Sequence, residues 1–365
     1  MSALSSQQTP LEDFNQKSHL EHYGISREQV SLSSLFPRTL PEDSDTDFKE
    51  LVEYFDKICK PYAESRDSFS GDFRRYLAKI ITLKETIASA ETRATTADQK
   101  SKEEEAIEIE RQNQENLANF LQTVVDRAFK FLKTEECKKN GQKESELDEK
   151  MPFFVMNSKV KMTWTSPKGT VGPCAYRATS LGGVVGLMES PVAIVSSKQK
   201  PTASRRKSIT PDGWGMLVTF QASPLKTGLH GIQSQTYQPA ADAGCLIGQA
   251  VKNLYKSHSR DRHRRNRNSI CITIRKTSIY FSRAGILARD LRHYKQHLEP
   301  SASEKVILHS REFDFLDKEE RKELLRGIMA VFRIVKRDVG RVLEEEGKGK
   351  GGDEEVEGVG KRVRV

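Results

Sequence analysis

The chain has 365 residues, of which 36% are hydrophobic and 30% are charged, so long stretches are expected to be solvated or disordered. No apolar run reaches the length of about 18 residues that a transmembrane helix needs, and no membrane partner is expected. The N-terminus lacks an apolar signal segment and five dispersed cysteines indicate reduced thiols, which together predict a cytoplasmic or nuclear protein. The net charge of +9 permits contact with nucleic acid without requiring it.

The N-terminal part of the chain predicts a flexible arm followed by helices. Residues 1–43 are rich in Ser, Gln, Glu and Pro, a composition typical of disorder. Residues 44–135 carry apolar side chains at helical spacing in three runs, and Ser44 with Asp47 predicts a capping box for the first. A charged stretch over 88–114 predicts a solvated helix within this region. We therefore expect a small helical bundle over 44–135.

The periodicity changes after a polar linker over residues 136–153. Residues 154–340 contain short apolar or alternating runs separated by glycines, which predict strands, and two runs with helical spacing. The strands are predicted near 160–164, 184–188, 192–195, 216–220, 270–274 and 279–281. The helices are predicted near 246–255 and after Asp317, which forms a cap signal with Glu320. The Gly-, Glu- and Lys-rich tail over 341–365 is predicted to be disordered.

These patterns predict an α+β protein. An N-terminal helical bundle would be followed by a mixed α/β domain with a small central sheet, and both termini would be disordered. The domain organisation predicted from composition is 1–43, 44–135, 136–153, 154–340 and 341–365.

Short motifs that resemble catalytic or metal-binding signatures are incomplete. His293 and His297 have the spacing of a zinc pair, but Tyr294 stands where a zincin has glutamate and no third ligand is evident. The glycines over 182–186 lack the Gly-Lys-Ser/Thr ending of a phosphate-binding loop. The sequence therefore predicts no catalytic residue, no metal site and no cofactor.

Two basic segments are candidate regulatory or binding sites. Ser208 follows Arg205 and Arg206 at the spacing that suits a basophilic kinase, and phosphorylation there would add negative charge to a basic loop. The segment 256–267 is the densest cluster of positive charge and is either a solvated loop or a phosphate-binding surface. Its candidate phosphate contacts are Lys256, Arg260, Arg262, Arg264, Arg265 and Arg267.

Three further segments carry a resemblance to a known family. Residues 217–223 occupy the place of a strand that ends in Glu-x-Lys, and Gln249 opens a helix with a later aromatic residue. Residues 280–286 resemble an aromatic–Asp-Arg-x-Gly-Ile segment. A Phe-Asp-Phe sequence, 313–315, and a helix follow. From about residue 164 to 340 the chain resembles the region that precedes the kinase domain in fungal-type protein kinases. That region is similar to a degenerate restriction-endonuclease-like nuclease.

The resemblance implies a scaffold without the family's chemistry. Gln221 stands at the position of the glutamate, Ser223 at that of the lysine and Ser282 at that of the aspartate, whereas Arg283 retains the motif's arginine. A neutral amide is a poorer ligand for a hard metal ion than a carboxylate. Kinase motifs are not found either. We therefore expect a non-catalytic binding or regulatory protein of fungal type, acting on an unknown protein partner.

Two alternatives remain open. The chain could bind nucleic acid through the basic loop 256–267. It could instead be a metal-dependent nuclease whose carboxylates have moved, for example to Glu312 and Asp314 on one face of a strand.

Overall fold

The computed structural model describes residues 11–59, 99–141, 151–169, 172–188, 214–223, 237–256, 267–286 and 305–350. Several sequence predictions lie outside these described residues. They are the helix near 69–81, the strand near 192–195, Ser208, the His293–His297 pair and residues 257–266 of the basic loop.

Regular elements begin at the first described residues. The N-terminal elements are β1 (Leu11–Asp13), α1 (Lys17–His22), β2 (Ile25–Gln29), α2 (Leu32–Leu35), α3 (Thr46–Ile58) and α4 (Gln99–Lys139). The next strands are β3 (Phe153–Met156), β4 (Val160–Gly169), β5 (Gly172–Ser180), β6 (Gly182–Leu187) and β7 (Trp214–Ala222). The remaining elements are α5 (Gln238–Lys256), β8 (Arg267–Arg275), β9 (Ser278–Ile286), β10 (Lys305–His309), β11 (Phe313–Asp314) and α6 (Lys318–Lys350).

Carboxylates cap two of the helices that pack on the main sheet. The Asp45 side chain accepts hydrogen bonds from the backbone N–H groups of Asp47 and Phe48, so the cap of α3 is Asp45 and the prediction of Ser44 was wrong by one residue. The Asp317 side chain accepts a hydrogen bond from the backbone N–H of Glu320 at 2.9 Å, as the sequence predicted for α6.

The main sheet has the strand order β2-β10-β9-β8-β7-β6-β3, with β11 paired to β9. Strands β7 and β8 are parallel neighbours joined through α5, whereas β8 and β9 form an antiparallel hairpin. The strands predicted near 216–220 and 270–274 are therefore neighbours, and the helix predicted near 246–255 packs on them. A second sheet, in the order β1-β5-β4, packs against the same helix α5.

The α+β class is confirmed, but the N-terminal helical bundle is not supported. Helices α3 and α4 pack together with α6 against the main sheet, in one apolar core. The Phe120 ring lies 5.0 Å from that of Phe315, and the Phe129 ring lies 6.0 Å from that of Phe153 in β3. Helical periodicity showed that these helices bury one face, but it carried no information about the surface that covers it.

The predictions of disorder also need correction within the described residues. Residues 11–43 were predicted as a disordered arm, yet β1 pairs with β5, β2 pairs in parallel with β10, and Phe14 and Phe36 are buried. Helix α6 continues to Lys350, into the segment predicted as a disordered tail. A few well-placed apolar side chains and strand pairing outweigh the polar composition of the arm. Among the described residues, no helix is long and apolar enough to cross a membrane.

Candidate functional site

The two faces of the central strands differ in chemistry. Because side chains alternate along a strand, directly paired residues of β7, β8 and β9 share a face. The face toward α3, α4 and α6 is apolar and carries Phe220, Ile272, Ile274 and Phe281. The face toward α5 carries the paired sets Gln221–Thr273–Tyr280 and Thr219–Cys271–Ser282, all of them buried. A buried polar layer between a sheet and its helix is the candidate functional site.

Asp242 of α5 lies at the centre of this polar layer and is fully buried. Its carboxylate accepts hydrogen bonds from the Tyr280 hydroxyl at 2.7 Å, the Thr273 hydroxyl at 2.9 Å and the Gln238 amide at 2.9 Å. The Arg27 guanidinium of β2 approaches the same carboxylate at 3.7 Å. The first turns of α5 and the carboxyl ends of β7 and β8 thus meet at one polar cluster.

Burial dominates the electrostatics of this cluster. It raises the pKa of Asp242 above its ordinary value, although the hydrogen bonds from Tyr280, Gln238 and Thr273 and the charge of Arg27 act in the opposite direction. Burial and the neighbouring Asp242 carboxylate also raise the pKa of Tyr280 well above its ordinary range. These shifts favour a neutral carboxyl and a protonated phenol.

The nearby thiols have little nucleophilic character. Burial raises the pKa of Cys245 to about 12 and also raises that of Cys271 well above its ordinary range. A thiol attacks or binds metal as the thiolate, and these side chains remain protonated at neutral pH.

The positions that resemble Glu-x-Lys lie at the end of β7, beside this cluster. The Gln221 amide donates a hydrogen bond to the backbone carbonyl of Thr179 at 2.7 Å and contacts the Cys245 thiol. Ser223 is buried, and its backbone N–H donates to the carbonyl of Ile274 at 2.8 Å. The Gln221 side chain therefore connects β7 to β5 and α5 through neutral groups.

The other motif positions divide between the two faces of the sheet. Gln249 of α5 and Ser282 of β9 are buried between this helix and the sheet, where the Gln249 amide donates to the backbone carbonyl of Leu217 at 2.7 Å. Arg283 lies on the opposite face and donates to the backbone carbonyl of Leu35 at 2.5 Å. The structure therefore brings Gln221, Gln249 and Ser282 to one side and separates Arg283 from them.

The carboxylates considered as relocated ligands have other partners. Glu312 forms an ion pair with Arg275 at 3.3 Å, and the Asp314 carboxylate accepts a hydrogen bond from the backbone N–H of Leu316 at 3.0 Å. Of the basic-loop residues, Lys256 ends α5 and Arg267 begins β8, whereas Arg260, Arg262, Arg264 and Arg265 lie outside the described residues.

The residues at the centre of the polar layer were missed by sequence reasoning. Asp242 stands alone in the small and apolar run Ala240–Leu246, and an isolated acid in such a run is a signal for a buried, partnered carboxylate. Arg27 had no comparable signal, because its segment has the composition of an arm. Its position depends on the pairing of β2 with β10.

The described residues contain no group of three or more His, Cys, Asp or Glu side chains placed to hold a metal ion. Neither a scan against protein-family models nor a search of curated proteins finds a match to this chain.

Proposed function

We propose that this chain is a non-catalytic binding or regulatory protein of fungal type, related to the region that precedes fungal-type kinase domains. The single observation that carries the proposal is the hydrogen bonding of the Gln221 side chain. Its amide is hydrogen-bonded inside the protein at the position where the related pattern has a metal-binding glutamate. Hydrolysis of a phosphodiester by a metal ion requires charge that this amide cannot supply.

The surroundings of Gln221 support the same conclusion. The Thr179 carbonyl accepts a hydrogen bond from the amide, and a carboxylate at this position would place two acceptors against each other. Asp242 is a nearby acid, but three hydrogen bonds and Arg27 already engage it. The contacts of Gln221 and Asp242 thus hold α5 on the sheet rather than present a free carboxylate.

A cleavage assay tests the proposal. Purified full-length protein is incubated with DNA or RNA in the presence of magnesium or manganese, and separately with ATP and an acceptor protein. We expect no cleavage and no phosphate transfer above a buffer blank. Metal-dependent turnover that disappears in Glu312→Gln, Asp314→Asn or Asp242→Asn would overturn the proposal and support the relocated nuclease. The matched control is Arg177→Gln, which removes the ion pair with Asp13 and leaves these three carboxylates in place. A contaminating nuclease would give turnover that none of the substitutions changes.

A second candidate function is nucleic-acid binding through the basic loop 256–267. One topological observation favours it: the residues that flank the loop, Lys256 at the end of α5 and Arg267 at the start of β8, lie at the end of the sheet opposite Gln221. Binding there would be independent of the degenerate motif.

A further inference from the structure

Arg27 of β2 has an incomplete set of partners for a buried arginine. Its side chain is 19% exposed, and its guanidinium lies 3.7 Å from the Asp242 carboxylate, which is beyond hydrogen-bond distance. Its Nε is buried and has no hydrogen-bond partner among the described residues. Burial also raises the pKa of Asp242, which weakens that group as a counter-ion for Arg27.

Two arginines of α6 show how the chain satisfies a guanidinium at similar burial. Arg321 is 10% exposed and donates a hydrogen bond to the Asp56 carboxylate at 3.0 Å. Arg326 is 12% exposed and donates to the Asp43 carboxylate at 2.7 Å. A guanidinium carries five N–H donors, and burying them without acceptors lowers stability. Arg27 therefore lacks the directly bonded carboxylate that the other two arginines have.

The direction of the Arg27 side chain follows from the strand register. Arg27 is level with Ile307 of β10 and Ala284 of β9, on the face of the sheet that α5 covers. Its guanidinium nevertheless approaches Asp242, which is hydrogen-bonded to Tyr280, four residues from Ala284 along β9. The side chain therefore extends along the sheet toward the carboxyl ends of β2 and β10.

Ser282 and His309 occupy the next row of the sheet in that direction. They are directly paired across β9 and β10, and they share the face of Ala284 and Ile307, from which they are two residues removed. The Ser282 hydroxyl is fully buried and has no hydrogen-bond partner among the described residues. His309 is partly buried, and its Nδ1 lies 3.0 Å from the Ser310 carbonyl, so this nitrogen carries the proton and Nε2 faces other groups.

We propose that Arg27, with Ser282 and His309 beside it, binds the carboxylate group of a small molecule at the carboxyl ends of β2 and β10. A carboxylate offers only acceptors, which suits the unpaired donors of Arg27 and Ser282, and its two oxygens match a guanidinium in bidentate geometry.

The charge of the site favours a carboxylate over a phosphate. One negative charge balances Arg27, whereas a phosphate dianion would place excess negative charge beside Asp242. The exposed part of the Arg27 side chain gives the ligand access from solvent. The inference goes beyond the proposed function, because its ligand is a small molecule rather than a protein or a nucleic acid.

The test is a titration of the full-length chain with sodium acetate, with sodium chloride at equal ionic strength as the blank. We expect acetate to raise the midpoint of thermal unfolding in a saturable way and to shift the assigned Nε–H resonance of Arg27 in ¹H–¹⁵N spectra. Arg27→Gln is expected to bind acetate at least about tenfold more weakly. The matched control is Arg177→Gln, which removes one arginine of β5 and should bind acetate like the unmodified protein.

Asp242→Asn has the opposite expected effect. It removes the acid that competes with the ligand for Arg27, so the affinity for acetate should increase several-fold. Circular dichroism checks that each variant is folded, and the Arg27 resonance of the unmodified protein supplies a readout that depends on no variant.

Three results would overturn the inference. They are the absence of a saturable response to acetate, an equal response of Arg27→Gln, and tighter binding of inorganic phosphate than of acetate. None of them bears on the cleavage assay or on nucleic-acid binding, so this inference and the proposed function fail separately.

Discussion

At the scale of single residues, Asp242 lies at the centre of the polar layer between α5 and the sheet. We predict that its titration changes the free energy of unfolding. Burial raises the pKa of this carboxyl above its ordinary value of 3.8. The stabilisation by the protonated carboxyl is therefore complete below pH 3.8 and is lost as pH rises through the folded pKa. Asp242→Asn keeps a neutral side chain at every pH. We expect the unfolding free energy of the unmodified protein, minus that of Asp242→Asn, to increase as pH falls from 7 toward 4.

Asp43 is a control for which the predicted change of stability with pH has the opposite sign. Hydrogen bonds from Lys322 and Arg326 lower the pKa of this exposed carboxyl, so its stabilising contribution is present above its ordinary pKa and is lost as pH falls through the folded pKa. Urea denaturation at several pH values measures the unfolding free energy of the unmodified protein minus that of Asp43→Asn. We expect this difference to decrease as pH falls. Parallel trends for the two variants would contradict the assigned direction at Asp242.

At the scale of elements, two glycines of α6 report how closely this helix approaches the sheet. A Cβ at Gly327 would lie 2.4 Å from the fully buried ring of Phe281, whereas no described atom lies within 4 Å of a Cβ at Gly340. Alanine favours a helix over glycine by about 1 kcal/mol. We expect Gly340→Ala to raise the unfolding free energy by about 0.5–1 kcal/mol. Gly327→Ala should lower it by about 1–3 kcal/mol, because the buried ring must move.

Urea denaturation of the two variants measures this contrast. Both variants replace glycine with alanine in the same helix, so the gain in helix propensity is common to them. The difference between their unfolding free energies therefore measures the packing of α6 against β9. Stabilisation by Gly327→Ala equal to that by Gly340→Ala would show that α6 does not press on Phe281 in solution.

At the scale of the whole molecule, the helices of the N-terminal half and the sheet of the second half share one core. Gln114 and Gln122 of α4 donate hydrogen bonds to the backbone carbonyls of Ala222 and Leu181, and Lys133 donates to those of Met151 and Phe153. A fragment of residues 44–135 would expose the apolar surface that these contacts cover.

This fragment is therefore predicted not to fold alone. We expect it to show no cooperative urea transition and to bind the dye ANS, whereas the full chain should lose helix and sheet signals in one transition. Circular dichroism and ANS fluorescence measure both properties. A cooperative transition of the fragment, matching part of that of the full chain, would restore the independent helical domain predicted from sequence.

The strong local patterns predicted elements well. Alternation at Ile270, Ile272 and Ile274 predicted β8, and the helical spacing from Leu324 to Val335 predicted the core of α6. Such patterns succeed because the face of an element is determined by its own residues. The polar composition before residue 44 led to a wrong prediction of disorder, because β2 forms by pairing with β10, a strand far along the chain.

The sequence by itself determined the strands near 216–220 and 270–274, the helical core of α6 and the carboxylate that caps this helix. Tertiary structure alone decided that α3 and α4 cover the sheet, that Arg27 approaches Asp242, and that Arg283 donates to the carbonyl of Leu35. The physical reason is the range of the interactions. Periodicity and capping act within a few residues, whereas burial and charge pairing join residues that only the completed fold brings together.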